Sequence, residues 1–326
     1  MYRRERSVPL RGSSLALYNN LAVLPLPAKR LSYFASVHGA SVGLVSAAAD
    51  GAGCAHRQLQ AREGGLGPPI VTQGRPAPNR PFRLSRQMYE PDGSAMVYWH
   101  ALDGMDLIGQ REAAGASAGN PGFPIPLAGT STGSVLVFDV PAKGTNITLS
   151  EVLEQHSSPI TDIGAELCEQ PGAADLVTAD DSGALCVWGS GETFRLINKI
   201  PASDCTCSSV KLWNGVIAAG YGNGQIRLYE AAHGTLRAQV NAHARWIYAL
   251  DLAPLSGKLL SAAEDSFVRV WGLSHKADTD SLEITHCHTE CVTDTQICGA
   301  RFCNPEGTAF AVTGFELNEI ILYHQV

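Results

Sequence analysis

Hydrophobic positions in this chain come in short runs that alternate with polar turns, and one arrangement recurs. Five segments carry it most plainly: LAGTSTGSVLVFDV (127–140), LVTADDSGALCVWGS (176–190), IAAGYGNGQIRLYEA (217–231), LLSAAEDSFVRVWGL (259–273) and FAVTGFELNEIILYH (310–324). Each begins as an apolar strand ending in small residues, passes through a polar turn, and continues as an alternating strand that ends in an aromatic. The aromatics are Phe138, Trp188, Tyr229, Trp271 and Tyr323, spaced by 50, 41, 42 and 52 residues. A weaker copy, MYEPDGSAMVYWHA, places Tyr98 forty residues before Phe138. Gly133, Gly183 and Gly224 each stand five residues before the closing aromatic, where a tight turn asks for positive φ. Small residues such as Ala218, Ala219 and Gly220 suit a strand packed between neighbours, and the aromatic is expected to fill the gap between units. A period of 40–50 residues with paired strands predicts the blades of an all-β propeller, one domain spanning residues 1–326.

The sharpest copy, AHARWIYALDLAPLSGKLLSAAEDSFVRVW, sets His243, Ser261 and Asp265 at 28, 10 and 6 residues before Trp271. This pattern resembles the WD40-repeat family. The resemblance implies that these four form a structural hydrogen-bonded tetrad, the imidazole bridging Ser261 and Asp265 and the Ser261 hydroxyl bonding the indole N–H. A buried polar chain of this kind is stable only with every member paired. A second copy keeps a partial tetrad of His156, Thr178 and Trp188, with Ser182 in the position of the aspartate. The copies ending at Phe138 and Tyr229 show no tetrad.

Seven blades are expected, with six as the fallback if residues 62–126 do not build a full one. Residues 74–126 are rich in proline, glycine and arginine and poorly periodic, so blade assignment there is open. The sequence ends three residues after Tyr323, which leaves the last blade without an outermost strand and with an open edge. The segment near Leu21–Leu24 is the spare apolar strand expected to complete it. LSYFASVHG, SVGLVSAAA and AHRQLQA then build the first blade, and residues 1–14 read as a basic tail.

Charge narrows the partners. The chain carries −7, but residues 1–30 hold +5, leaving −12 on the remainder. A general nucleic-acid binder would need a basic face, so none is expected. No apolar run approaches the length of a membrane span, although peripheral association stays open. Arginine, asparagine and proline interrupt the N-terminal segment, which argues against a secretory signal. A mitochondrial presequence is the minor alternative. Nine cysteines without such a signal fit free thiols in a reducing cytoplasm. The sequon at Asn146 is then expected to remain unmodified.

Three motifs invite chemistry. His286, Cys287, His288, Cys291, Cys298 and Cys303 are metal-ligand types, but no Cys-x2-Cys pair occurs, and buried strand packing explains them better. Gly220-Tyr221-Gly222-Asn223-Gly224 lacks the third glycine of a dinucleotide loop and leads into a strand, so it reads as a blade turn. Asp180, Asp181 and Ser182 beside His156 suggest acid–base work, but the turn and the partial tetrad account for them. No cofactor, metal or catalytic residue is therefore expected.

The resemblance implies a non-catalytic scaffold that binds other proteins. The alternatives are a reader of a modified peptide or small ligand at the central channel and, last, a propeller enzyme. Self-association is open. The channel shows no convergent titratable groups in the sequence. The expected partner-binding residues lie in the loops on the tetrad side: Asp181, Tyr221, Arg245, Trp246 and Glu264, with Phe315 and Glu316 nearby. Exposed aromatics and arginine are the types that anchor interfaces.

Overall fold

The computed structural model describes residues 1–5, 7–10, 20–26, 31–38, 41–48, 55–60, 74–77, 80–84, 88–89, 96–101, 126–139, 148–166, 173–276, 281–292 and 295–326. All regular structure among them is β. The strands gather into six antiparallel sheets of four or five strands and one two-stranded hairpin. Sheet 1 is Leu21–Leu26, Leu31–His38, Ser41–Ala48 and Ala55–Gln60. The hairpin is Gly74–Ala77 with Arg80–Leu84. Sheet 2 holds Met88–Tyr89, Met96–Ala101, Pro126–Thr130, Ser134–Asp139 and Thr148–Glu154. Sheet 3 is Ile160–Ala165, Leu176–Asp180, Leu185–Gly189 and Arg195–Ile200, and sheet 4 is Cys207–Trp213, Val216–Tyr221, Gln225–Glu230 and Leu236–Asn241. Sheet 5 is Ile247–Ala253, Lys258–Ala263, Phe267–Lys276 and Ser281–Cys291. Sheet 6 joins Ile297–Phe302, Ala309–Gly314 and Glu319–Gln325 to the N-terminal strands Tyr2–Arg4 and Val8–Pro9.

The first strands of sheets 3, 4, 5, 6 and 1 lie beside one another in that order. The apolar cores are between sheets. Trp188 of sheet 3 packs with Leu127 and Val135 of sheet 2, Tyr229 with Val177 and Val187, Trp271 with Val216 and Ile226, and Tyr323 with Leu260. Each of these aromatics thus reaches back onto the preceding sheet, as the periodicity predicts; Phe138 is only half-buried. The second strands of sheets 3, 4 and 6 are buried throughout, which explains their small residues. Gly133, Gly183 and Gly224 all take positive φ, at 92°, 84° and 81°. At Gly224 a Cβ would stand 2.0 Å from the His243 carbonyl oxygen, so only glycine fits.

Two expectations about the N-terminus change. Leu21–Leu26 does not pair with the last sheet; it pairs with Leu31–His38 as the first strand of sheet 1. The strand beside Glu319–Gln325 is Tyr2–Arg4, continued by Val8–Pro9. Residues 1–10 are therefore not a free tail. Tyr2, Val8 and Leu10 are buried, and the Tyr2 hydroxyl donates to the Gly307 carbonyl. Of this strand only Tyr2 is buried; Arg3 and Arg4 are exposed, and Arg4 pairs with Glu319 at 2.7 Å. Asn146 lies outside the described residues.

Candidate functional site

The four residues of sheet 5 meet as the spacing implies. The Trp271 indole N–H donates to Ser261 Oγ at 2.9 Å, Ser261 lies 2.8 Å from His243 Nε2, and His243 Nδ1 lies 3.0 Å from Asp265. One proton arrangement serves the chain: Trp271 to Ser261, Ser261 to His243, His243 Nδ1–H to Asp265. The Arg269 guanidinium is also 2.9 Å from that Nδ1 and 3.5 Å from Asp265. Its attraction to the carboxylate is the interaction consistent with Nδ1 as a donor. Burial pushes the His243 pKa below its ordinary value, outweighing the pull of Asp265, so the ring is neutral at pH 7. Burial also opposes ionisation of Asp265, but hydrogen bonds from His243 and from the Ala244 and Phe267 amides hold its pKa at about 2.

Sheet 3 has a complete tetrad where the sequence showed a partial one. Trp188 Nε1–H donates to Thr178 Oγ1 at 3.0 Å, Thr178 is 2.8 Å from His156 Nε2, and His156 Nδ1 is 2.7 Å from Asp180. The aspartate comes from two residues earlier than expected. Ser182 supports it instead, donating its amide at 2.9 Å and its hydroxyl at 2.6 Å to Asp180 Oδ1. Burial opposes the charge on Asp180; the bonds from His156 and Ser182 prevail and lower its pKa. The doublet Asp180-Asp181 was the available signal.

Sheet 4 fills the same space differently. By register, Tyr221 aligns with Asp180 and Tyr229 with Trp188. Their hydroxyls stand 3.2 Å apart and Arg227 lies 4.5 Å above the Tyr221 ring. Tyr221 is 0% exposed, so it is removed from the partner-binding set. Burial first, then its neighbours, pushes its pKa up, and it stays protonated.

The remaining predicted contacts stay at the end of the sheets that carries the tetrad histidines. Asp181 and Arg245 are exposed, Glu264 is half-buried, and Trp246 and Phe315 are each 39% exposed. Equivalent amides bind the loops there: Asp181 N–H donates to Pro159 O, Gly222 to Thr206 O, Glu264 to Trp246 O and Phe315 to Gln296 O. A Cβ at Gly222 would stand 2.7 Å from the Trp246 ring, so the indole rests on the neighbouring sheet's turn with its other side open.

Titratable groups do converge along the first strands, contrary to the sequence reading. Arg301 donates to Asp251 at 3.1 Å and to the carbonyls of Leu250 and Leu21, and Lys211 Nζ is 4.0 Å from Asp251. The set is a buried, mutually compensating link between sheets. The His/Cys group divides. Cys298 is buried and Cys303 half-buried, and burial raises their pKa to about 11 and about 12. Cys287 and Cys291 are exposed on the outer strand of sheet 5, against the packing expectation. His286 meets Thr289 at 2.6 Å and His288 packs on Tyr2. Among the described residues no three His, Cys, Asp or Glu side chains converge on a metal-sized site, and no helix is long and apolar enough to cross a membrane.

A family model described as WDR54 matches residues 1–326. The chain belongs to the WDR54 family. Segments such as NAHARWIYALDLA and FAVTGFELNEI lie within that match. WD repeat-containing protein 54 of Mus musculus is 54% identical over the whole of both chains, as is its Homo sapiens counterpart. The chain also resembles solved propellers. One is titled the WD40 β-propeller domain of Doa1, with a TM-score of 0.62 and 14% identity, covering 100% of this chain and 98% of that one. Another, from a mitotic checkpoint complex, gives 0.65 and 15%, covering 99% and 91%. These two likenesses show the WD40 β-propeller fold.

Proposed function

We propose that this WDR54-family chain is a non-catalytic scaffold of the cytoplasm, a seven-bladed ring that binds a protein partner on its tetrad face. The observation that carries the reading is Trp246, whose indole is fixed against Gly222 yet 39% exposed. A positioned, half-open aromatic contributes contact area with little entropy left to lose. Asp181 and Glu264 supply negative charge around it, and Arg245 a single positive one. The partner is a basic segment with an apolar anchor, steered by the −12 of residues 31–326. The histidines and aspartates of the two tetrads are occupied in structural bonds, which supports binding over catalysis.

The test compares wild type with Trp246→Ala and with Asp181→Lys/Glu264→Lys in proximity labelling and pull-down, after circular dichroism shows each variant folded. Loss of shared partners by both variants is expected, with the charge reversal weakening binding most at low salt. Retention of every partner by both variants rejects the reading.

A further inference from the structure

The end of the sheets opposite the tetrads carries a second feature, formed by the turns that join first and second strands. Four of these turns are bonded into one strip by three hydrogen bonds. The Asn214 N–H donates to Glu166 Oε1 at 2.6 Å, the Trp213 indole N–H to the Pro254 carbonyl at 3.1 Å, and the Leu255 N–H to the Pro305 carbonyl at 3.0 Å. The strip runs Glu166, Trp213, Leu255, Pro305, Glu306 across sheets 3 to 6. Its middle is apolar and open: Leu255 is 72% exposed, Pro254 and Pro305 are exposed, and Trp213 is half-buried against Gly257. Its ends are acidic. Neither Glu166 nor Glu306 has an ion-pair partner among the described residues. Lys258, on the strand that leaves the Leu255 turn, is engaged by the Gly307 carbonyl, the Tyr2 hydroxyl and Gln325.

We infer that this strip is a docking site for a protein segment with an apolar centre and basic residues at both ends. Charge complementarity sets the partner's chemistry, because each end of the ridge presents a carboxylate with no ion pair among the described residues. The three inter-sheet hydrogen bonds hold the ridge in place before binding, so little backbone ordering is left to oppose association. A leucine at this exposure, flanked by two prolines and an indole, loses water-exposed apolar surface only when covered. The site is independent of the tetrad face and of Trp246.

The probe is a fluorescein-labelled peptide with a leucine–phenylalanine–leucine centre and two arginines at each end, titrated by fluorescence anisotropy against the full chain. Saturable binding is expected, weakened tenfold or more by Leu255→Asp and by Glu166→Lys/Glu306→Lys, and unchanged by Trp246→Ala. Leu255 is exposed, so its variant keeps the fold, which circular dichroism checks. The inference is overturned if the peptide does not saturate, if glutamates at its ends bind equally well, or if Leu255→Asp has no effect. It is also overturned if sedimentation shows that Leu255→Asp dissociates a dimer, or if only anionic lipid vesicles bind through Leu255. The tetrad-face variants separate the faces: if Trp246→Ala and Asp181→Lys/Glu264→Lys both keep every partner, the tetrad-face proposal fails and this one stands.

Discussion

Replacing Asp180 tests the tetrad of sheet 3 against the spacing of the sequence, which pointed to Ser182. Asp180 is buried and accepts from His156 Nδ1, from the Ser182 amide and hydroxyl, and from the Ala184 amide at 3.0 Å. Asp180→Ala leaves the buried His156 ring nitrogen and the buried Ala184 amide without acceptors. Each orphaned donor costs about 1–3 kcal/mol, so the pair amounts to roughly 2–6 kcal/mol. Ser182→Ala removes one hydroxyl donor while the carboxylate keeps its other three bonds, a loss of about 0.5–1.5 kcal/mol. Asp180→Asn falls between, since its carbonyl oxygen serves one set of donors while its NH2 faces the other. Thermal midpoints by scanning fluorimetry rank the three variants at one pH. The expected order of destabilisation is Asp180→Ala, then Asp180→Asn, then Ser182→Ala. A Ser182→Ala loss equal to or larger than that of Asp180→Ala refutes the assignment and restores the spacing rule.

Three further outcomes follow. His243→Ala strands Ser261 and Asp265 and is expected to cost about 1–3 kcal/mol; an unchanged midpoint rejects the tetrad of sheet 5. The wild type is also expected to lose stability as pH falls. The folded state holds His243 below its ordinary 6.5, so the unfolded chain binds that proton more readily; this contribution is complete above about 6.5 and declines below it. Asp265, at about 2 against 3.8, acts only lower, as pH drops from 3.8 towards 2. His243→Gln should therefore flatten the slope of midpoint against pH between about 7 and 5, and an identical slope argues against a buried neutral ring. Deleting residues 1–10 removes buried Tyr2, Val8 and Leu10 and bares Glu319–Gln325, with aggregation expected by light scattering; a monomeric, equally stable product rejects the pairing as a stabilising contact.

The fold was legible because each sheet repeats one local logic. Small residues, a positive-φ turn residue (glycine in sheets 2, 3 and 4, Ser266 in sheet 5, Glu316 in sheet 6) and a closing aromatic define a hairpin whose neighbours must cover it, and Trp188, Tyr229, Trp271 and Tyr323 all do so. What was not legible depends on long-range pairing. YRR and LAVLPL are both short strand candidates, and nothing local says which reaches residues 319–325. Tyr2 decides it, through a gap between sheets 5 and 6 where its ring meets Phe310 at 5.1 Å and its hydroxyl finds Gly307. Asp180 was missed for a related reason. A carboxylate's reach tolerates a shift of two residues when the turn's own amides can still bind it, so a fixed count from the tryptophan is too strict.

The candidate binding residues show the same limit more sharply. Tyr221 and Trp246 are both aromatics at the tetrad end of adjacent sheets, and sequence alone gives them equal claim to the surface. Their fates differ because of what stands opposite. Tyr221 takes the register position that holds Asp180 in sheet 3, so the space a tetrad would occupy is open to its ring and Tyr229 receives its hydroxyl. Trp246 meets Gly222, which has no side chain, so the indole settles on the turn without sinking between the sheets. Availability for binding is thus a property of the pair across the gap, not of the aromatic. On the opposite face Trp213 rests in the same manner on Gly257, with a Cβ there only 2.9 Å from the ring. A glycine beneath a tryptophan at either end of the sheets holds the ring in place and leaves its outer side wet. That combination of fixed geometry and unspent apolar surface is what an interface anchor requires.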